Sequence, residues 1–309
     1  MVDAEASSTP GPASPPPGRP LVVACLDPVD LRPEVDPLSG EVRADWRRAD
    51  LSAADSAALE HSLRAAEAWG GTVLAVAAGP PALDPVLRQA VALGARALRV
   101  PWSTGHSGLA ADPVALAAAL AVAISQVGAP ALVLCGDRSP SRGIGAVPAL
   151  LAHHLGAEQA LGLVSLTVEQ DSLTVVGERR LDGGWRERLR VRAPALCSVE
   201  AAGVRLRRAP LAAALHSSRQ PIEVAPVHND PTNQAAPVRV GSPRPYRPRT
   251  KAVPPPAGGT HDRLLALTGA LMAHDPPRIV GPIGPAEAAD EILDFLVGHG
   301  YSLPSDPNG

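Results

Sequence analysis

Four times between Leu21 and Leu155 a short, unbroken apolar run is followed by a segment with helical spacing, and this repeat most restricts the fold. The runs are Leu21–Leu26, Thr72–Ala77, Ala97–Val100 and Ala131–Cys135. The helical segments start at Ser52, as N-cap, and stop at Gly70-Gly71; run over Ala82–Leu93, closed by Gly94; run over Val114–Val127, opened by Pro113; and run over Ala146–Leu155. Strands with no polar alternation are buried on both faces, so the repeat predicts an α/β fold with a parallel sheet covered by helices on each side. Ligands bind such sheets at the carboxyl ends of the strands. Those ends carry Asp27, Gly79, residues 101–109 and residues 136–145.

The last of these loops has the richest chemistry. After Ala131–Cys135 the chain turns at Gly136 and presents Arg138, Ser139, Ser141 and Arg142, then Gly143 and Gly145, before the helical run from Ala146. A strand–loop–helix unit brings backbone N–H groups and the positive end of a helix dipole to one place, and arginine forks match phosphate oxygens. The spacing fits neither the dinucleotide fingerprint nor the Walker A loop, so an ordinary turn with solvated arginines is the competing reading.

Beyond residue 156 the pattern changes. Leu163–Val168, Leu173–Val176 and Arg186–Val191 alternate apolar and polar residues, with turns at 169–172 and at Asp182-Gly183-Gly184; they predict an antiparallel meander. Ala195–Val199 returns as a buried strand, and Pro210–Leu215 is a short apolar helix or loop. Residues 1–19 hold almost nothing to bury and read as a disordered leader, residues 20–227 as the α/β domain, and residues 228–260 as a Pro-rich linker. Asp262–His274 and Ala286–Gly298 have helical spacing, with Pro285 at a helix start. Residues 261–304 therefore read as a helical segment too small to hold a core alone, docking on the body or on a partner.

Several classes are disfavoured. A net charge of −3, one Phe and two Tyr make no case for nucleic acid. Cys25, Cys135 and Cys197 end or lie within apolar runs without CxxC spacing, as buried reduced thiols of a cytoplasmic protein do. No secretory signal is visible, and the alanine-rich Val114–Val127 is too short to cross a bilayer, which predicts no membrane insertion. HExxH, GxSxG and metal-ligand clusters are missing, and the adjacent His153 and His154 point in different directions on a helix.

The stretch VVGERRLDGGWRERLRVRAPALCSVEAAGVRLRRAPLAAALHSSRQPIEV resembles the signature region of electron transfer flavoprotein β subunits. That pattern sets a basic residue and Asp-Gly-Gly in a hairpin, then Pro before a short apolar strand. Arg179 or Arg180, Asp182-Gly183-Gly184 and Pro194 before Ala195–Ser198 match it. DSAALEHSLRAAE and AVAAGPPALDPVLRQAVALGARALRV fit earlier parts of the family in order and spacing; the likeness covers residues 20–227, and 275–301 echo the family's C-terminal segment.

The resemblance implies a mostly parallel Rossmann-like sheet of the adenine nucleotide α-hydrolase-like type, in a heterodimer with an electron transfer flavoprotein α subunit. FAD is shared with that subunit, and AMP, or a second FAD in bifurcating members, occupies the β site. It implies an electron carrier between dehydrogenases and a respiratory acceptor, without substrate chemistry of its own. The cofactor-binding residues expected by this likeness are Asp27, Ser52, Ala78, Gly79, Gly136, Arg138, Ser139, Arg142, Gly143 and Gly145. Departures are visible: Pro28 stands where many members have a flavin-facing Tyr, and Ser52-Ala53-Ala54 where Asn-Pro and an aromatic are usual. The loop DRSPSRGIG replaces acidic residues and a Gln around AMP, so an anionic nucleotide is expected on Arg138, Arg142 and the loop amides. Leu211 matches the leucine anchor by which the family engages its dehydrogenase, an acyl-CoA-type enzyme or, given the GDRS loop, a mycofactocin-linked one. The alternative is a stand-alone adenine-nucleotide-binding regulatory module of universal-stress type, which needs neither the meander nor the C-terminal arm. A nucleotide α-hydrolase would need an SGGxDS-like loop, which the sequence lacks.

Overall fold

The computed structural model describes residues 18–102, 112–141, 143–170, 172–201, 203–226, 259–268 and 279–301. The leader up to residue 17, Arg142 and the Pro-rich linker from 227 to 258 lie outside them.

The parallel core is built from β1 (Leu21–Leu26), β6 (Thr72–Gly79), β7 (Arg96–Pro101) and β8 (Pro130–Gly136). It is interleaved with α1 (Ala53–Trp69), α2 (Asp84–Ala92), α3 (Pro113–Val127) and α4 (Ala146–Leu155). The helix signals act as read. Ser52 caps α1 by accepting the Asp55 N–H, and Gly70 closes it in the left-handed region, where a side chain would be strained.

The strand after β1 is more structured than a plain loop. Its segment pairs β2 (Val29–Asp30) with β5 (Ala49–Asp50) and β3 (Glu34–Val35) with β4 (Val42–Arg43). Buried Asp30 staples this excursion by accepting the N–H groups of Arg32 and Asp45, each at 2.9 Å, and the Arg48 guanidinium. Two-residue strands leave no periodicity, which is why the sequence hides them.

The chain continues through β9 (Glu158–Glu169), β10 (Thr174–Arg180), β11 (Arg186–Arg192), β12 (Ala195–Val199), α5 (Leu211–Ser217) and β13 (Glu223–Val224). All but the four small strands join one nine-stranded sheet of order β11-β10-β9-β12-β8-β1-β6-β7-β13. β9 begins five residues before the alternating pattern. Its first half pairs in parallel with β12; its second half pairs antiparallel with β10, after a register shift beside Gly162, whose φ is 69°. The bend carries the meander against α1. Leu163, Leu166 and Val175 share a core with α1 residues Ala58, Leu59 and Ala66, and the Trp69 indole donates to the Glu169 carbonyl at 2.8 Å.

Burial along β1 alternates between two cores. Val22, Ala24 and Leu26 face α1 and α2, while Leu21, Val23 and Cys25 face α3 and α4. Both halves of that alternation are apolar, so β1 reads as continuous. The order of strands defines where a ligand can enter. From β1 the chain winds through β6 to β7, and α3 then returns it past β1 to β8 on the other side. The winding reverses between β1 and β8, and a crevice lies at their carboxyl ends.

Residues 247–309 form a second unit by contacts. Its described helices are α6 (Thr260–Leu267) and α7 (Pro285–Gly298). The helical reading from Asp262 to His274 holds as far as the described residues go, and its last part lies outside them. No residue of α7 is buried, and Ile292, Phe295 and Val297 are exposed.

Candidate functional site

The crevice between β1 and β8 gathers residues from six elements, β1, α1, β6, α3, β8 and α4, and from the loops after β1 and β8. Leu116 and Leu120 of α3, Ile144, and Val147 and Pro148 of α4 form an apolar wall. Asp27, Ala78, Gly136, Arg138 and Ser139, at or just beyond strand ends, share the lining with Cys25, Leu26, Asp55 and Cys135, and the cavity measures about 70 Å³. Of the ten residues expected at a nucleotide, these five lie together.

Asp27 follows β1 and accepts the Ser139 hydroxyl at 2.6 Å, which ties the first strand's end to the 136–145 loop. Beneath it lies Asp55, which the sequence reading overlooked. It is 3% exposed, takes the Ser52 hydroxyl at 2.7 Å, and holds the N–H groups of Asp27 and Gly136. Burial pushes its carboxyl up to about 7; the Asp27 charge adds to the rise, and the Ser52 and backbone hydrogen bonds oppose it. Ser52 thus reaches the crevice through Asp55. The spacing Ser52-x-x-Asp55 is a capping box and could have pointed to the pair. Gly136 packs tightly beside it: a Cβ there would stand 3.0 Å from an Asp55 oxygen.

The 136–145 loop closes largely on itself. The Ser139 N–H donates to the Ile144 carbonyl and the Gly143 N–H to the Ser139 carbonyl, at 2.9 and 2.8 Å. Gly143 turns the loop at φ 64°, and Gly145 passes so close to Asp137 that a Cβ would lie 2.5 Å from its carbonyl oxygen. Gly145 is the N-cap of α4 and supplies no side-chain bond, so the first amides of that helix have no side-chain cap. Arg138 bonds its neighbour Asp137 at 2.9 Å and is largely exposed. Gly79 ends β6 outside the crevice lining; its carbonyl takes the Arg99 guanidinium at 3.4 Å, and Leu83 fills the space a side chain would need. The thiols of Cys25 and Cys135 lie in register on β1 and β8, and their mutual hydrogen bond and burial raise Cys135 well above the ordinary thiol range.

The second candidate, Leu211, lies on α5. Leu211 is 75% exposed and Leu215, one turn on, 62% exposed, so neither belongs to the core. The α5 helix buries only Ser217.

The family model of the electron transfer flavoprotein domain matches residues 42–230, more than half of the chain. The chain belongs to the electron transfer flavoprotein family. Protein FixA of Rhizobium meliloti is 27% identical over 205 residues, 64% of this chain and 69% of FixA. The electron transfer flavoprotein subunit beta of Mycobacterium tuberculosis is 31% identical over 153 residues, 47% and 56% of the two chains. FixA of Bradyrhizobium diazoefficiens is 31% identical over 173 residues, 54% and 59%. The chain therefore spans between half and seven tenths of these relatives.

Within this family member, α1 with Asp55, the 136–145 loop, the Asp-Gly-Gly turn and α5 fall inside the matched region, while β1 and Asp27, on the other side of the crevice, precede it. Among the described residues no cluster of His, Cys, Asp and Glu could hold a metal ion, and no helix is long and apolar enough to cross a membrane.

Proposed function

We propose that this chain is the β-type subunit of a heterodimeric electron transfer flavoprotein, carrying electrons from a dehydrogenase to a respiratory acceptor in the cytoplasm. The observation that carries the reading is the family match over residues 42–230 together with relatives named electron transfer flavoprotein subunit beta. The regulatory-module alternative is less favoured, because it leaves the meander and the second unit without a use.

The crevice fits an adenine nucleotide by its chemistry. Leu116, Leu120 and Val147 offer a flat apolar wall to a purine, and Asp27 and Ser139 offer an acceptor and a hydroxyl to a ribose. Arg138, Arg142 and the uncapped amides of α4 lie in sequence where a phosphate would need them. Asp55 contributes differently: by holding both strand ends it fixes the width of the crevice. AMP or a second FAD would be held by this set, with the main FAD shared with the α subunit. The flavin, when bound, supplies the electron chemistry. This chain's own residues bind, orient and shield it. Leu211 on α5 would enter an apolar groove of the dehydrogenase, an acyl-CoA-type or mycofactocin-linked enzyme, burying apolar area from a short stiff side chain.

Co-expression with the electron transfer flavoprotein α chain of the same genome tests the reading. The expected product is a yellow heterodimer that releases FAD, and AMP or further FAD, on denaturation. A colourless chain that pairs with no α subunit would overturn it.

A further inference from the structure

The segment before α5 is held to α1 by an ion-pair network that neither the capping signals nor the crevice requires. Glu60 and Glu67 lie on α1, two turns apart, and Arg207 reaches both. Glu60 is almost wholly buried. It accepts the Arg207 backbone N–H at 3.1 Å and the Arg207 guanidinium at 3.0 and 3.1 Å, and it also takes Arg64 at 2.8 Å. Glu67 takes the other side of the same fork, once at 3.1 Å and once through a still closer contact. Residues 204–210 form no strand or helix, so this fork and the packing of Val204 and Leu206 on the core are what tie them to α1.

Beyond this tether α5 lies against α2 and is most deeply buried at its far end. Ser217 is buried there, and the Arg88 guanidinium donates to the Gln220 carbonyl at 3.0 Å. Between the two ends lies an open cleft of about 390 Å³, bordered by Gln89 and Ala92 of α2 on one side and by Ala209 and Ala214 on the other. The helix therefore borders an open cleft and is held before it by Arg207 and after it by Gln220. Its exposed leucines have little packing of their own to set their direction. A seven-residue helix cannot set it alone either.

We propose that Arg207, clamped between Glu60 and Glu67, is a positioning residue that fixes the direction in which Leu211 and Leu215 are presented to the partner dehydrogenase. The inference rests on the reading of α5 as the dehydrogenase-facing element. A planar fork bonding two carboxylates defines an orientation, which a single charge would not. The clamp acts before encounter: it removes orientations that would otherwise have to be lost on binding, so its loss weakens docking and leaves the electron-transfer step unchanged.

The test uses the heterodimer, reduced by an acyl-CoA dehydrogenase that reduces the wild-type protein. Arg207→Met is expected to raise the KM for the dehydrogenase about tenfold, with kcat and flavin content unchanged; Leu211→Ala is expected to do the same. Combined, the two substitutions should cost little more than either alone, because a clamp that acts through Leu211 has nothing left to position. Additive losses, or an unchanged KM in Arg207→Met, overturn the clamp while leaving the docking element in place. An unchanged KM in Leu211→Ala overturns the docking reading, and the clamp with it. Should Arg207→Met fail to fold, Glu67→Gln, on the exposed side of the fork, is expected to raise KM in the same direction and to show the same lack of additivity with Leu211→Ala; an unchanged KM overturns the clamp.

Discussion

Asp55 carries the largest electrostatic cost in the crevice. Its carboxyl is buried, and its pKa of about 7 lies above the unfolded value of about 3.9. The folded state therefore holds a proton that the unfolded state has released, so the stability Asp55 contributes is complete below pH 4 and is lost as pH rises through 7. Denaturant unfolding of wild type and Asp55→Asn at pH 4.5 and pH 8 checks this. The stability difference between the two proteins should shift against wild type by a few kcal/mol over that range. A pH-independent difference would contradict the account. Gly145 sets a steric limit on the same site. A methyl group there would press on the Asp137 carbonyl, so Gly145→Ala should cost about 1–3 kcal/mol in chemical denaturation and weaken AMP binding measured by calorimetry. The loop glycines, Arg138 and Ser139 were legible as a ligand loop because strand ends collect ligands. The depth of Asp55 was not, because β8, whose end meets it, lies some 80 residues further along the chain.

At the scale of elements, local signals agree with tertiary packing wherever a segment is long. Each of the four βα units was readable from its apolar run and caps, because a strand buried on both faces and a capped amphipathic helix leave strong patterns. The bend in β9 was not. Gly162 reads as one small residue in an apolar stretch, yet its left-handed φ turns half of the strand across α1. Gly162→Val should therefore cost about 1–3 kcal/mol in thermal or denaturant unfolding, with no loss of helix content, since it strains the turn and not the parallel core. A neutral substitution would show that the bend is set elsewhere, by the Trp69 bond or the packing of Leu166. The Arg207 clamp was equally hidden, because its partners lie 147 and 140 residues apart in sequence.

Across the whole molecule, the crevice at the reversal of winding between β1 and β8 and the exposed leucines of α5 belong to one α/β body. The second unit contributes α7, whose apolar Ile292, Phe295 and Val297 are exposed beside Glu287, Asp290 and Asp294. An isolated helix of that length is marginal in water, and docking on a partner would stabilise it. Removing residues 247–309 should leave the thermal midpoint of the remaining chain within a few degrees, and should lower the yield of heterodimer with the α subunit. An unchanged yield would assign α7 to another surface. The central claim is that this chain makes a flavoprotein able to accept electrons. Anaerobic stopped-flow mixing of a substrate-reduced acyl-CoA dehydrogenase with the α chain, in the presence and absence of this chain, tests it most directly. The account predicts that the flavin bleaches only in the heterodimer and more slowly when Leu211 is Ala. Bleaching at the same rate without this chain would contradict it.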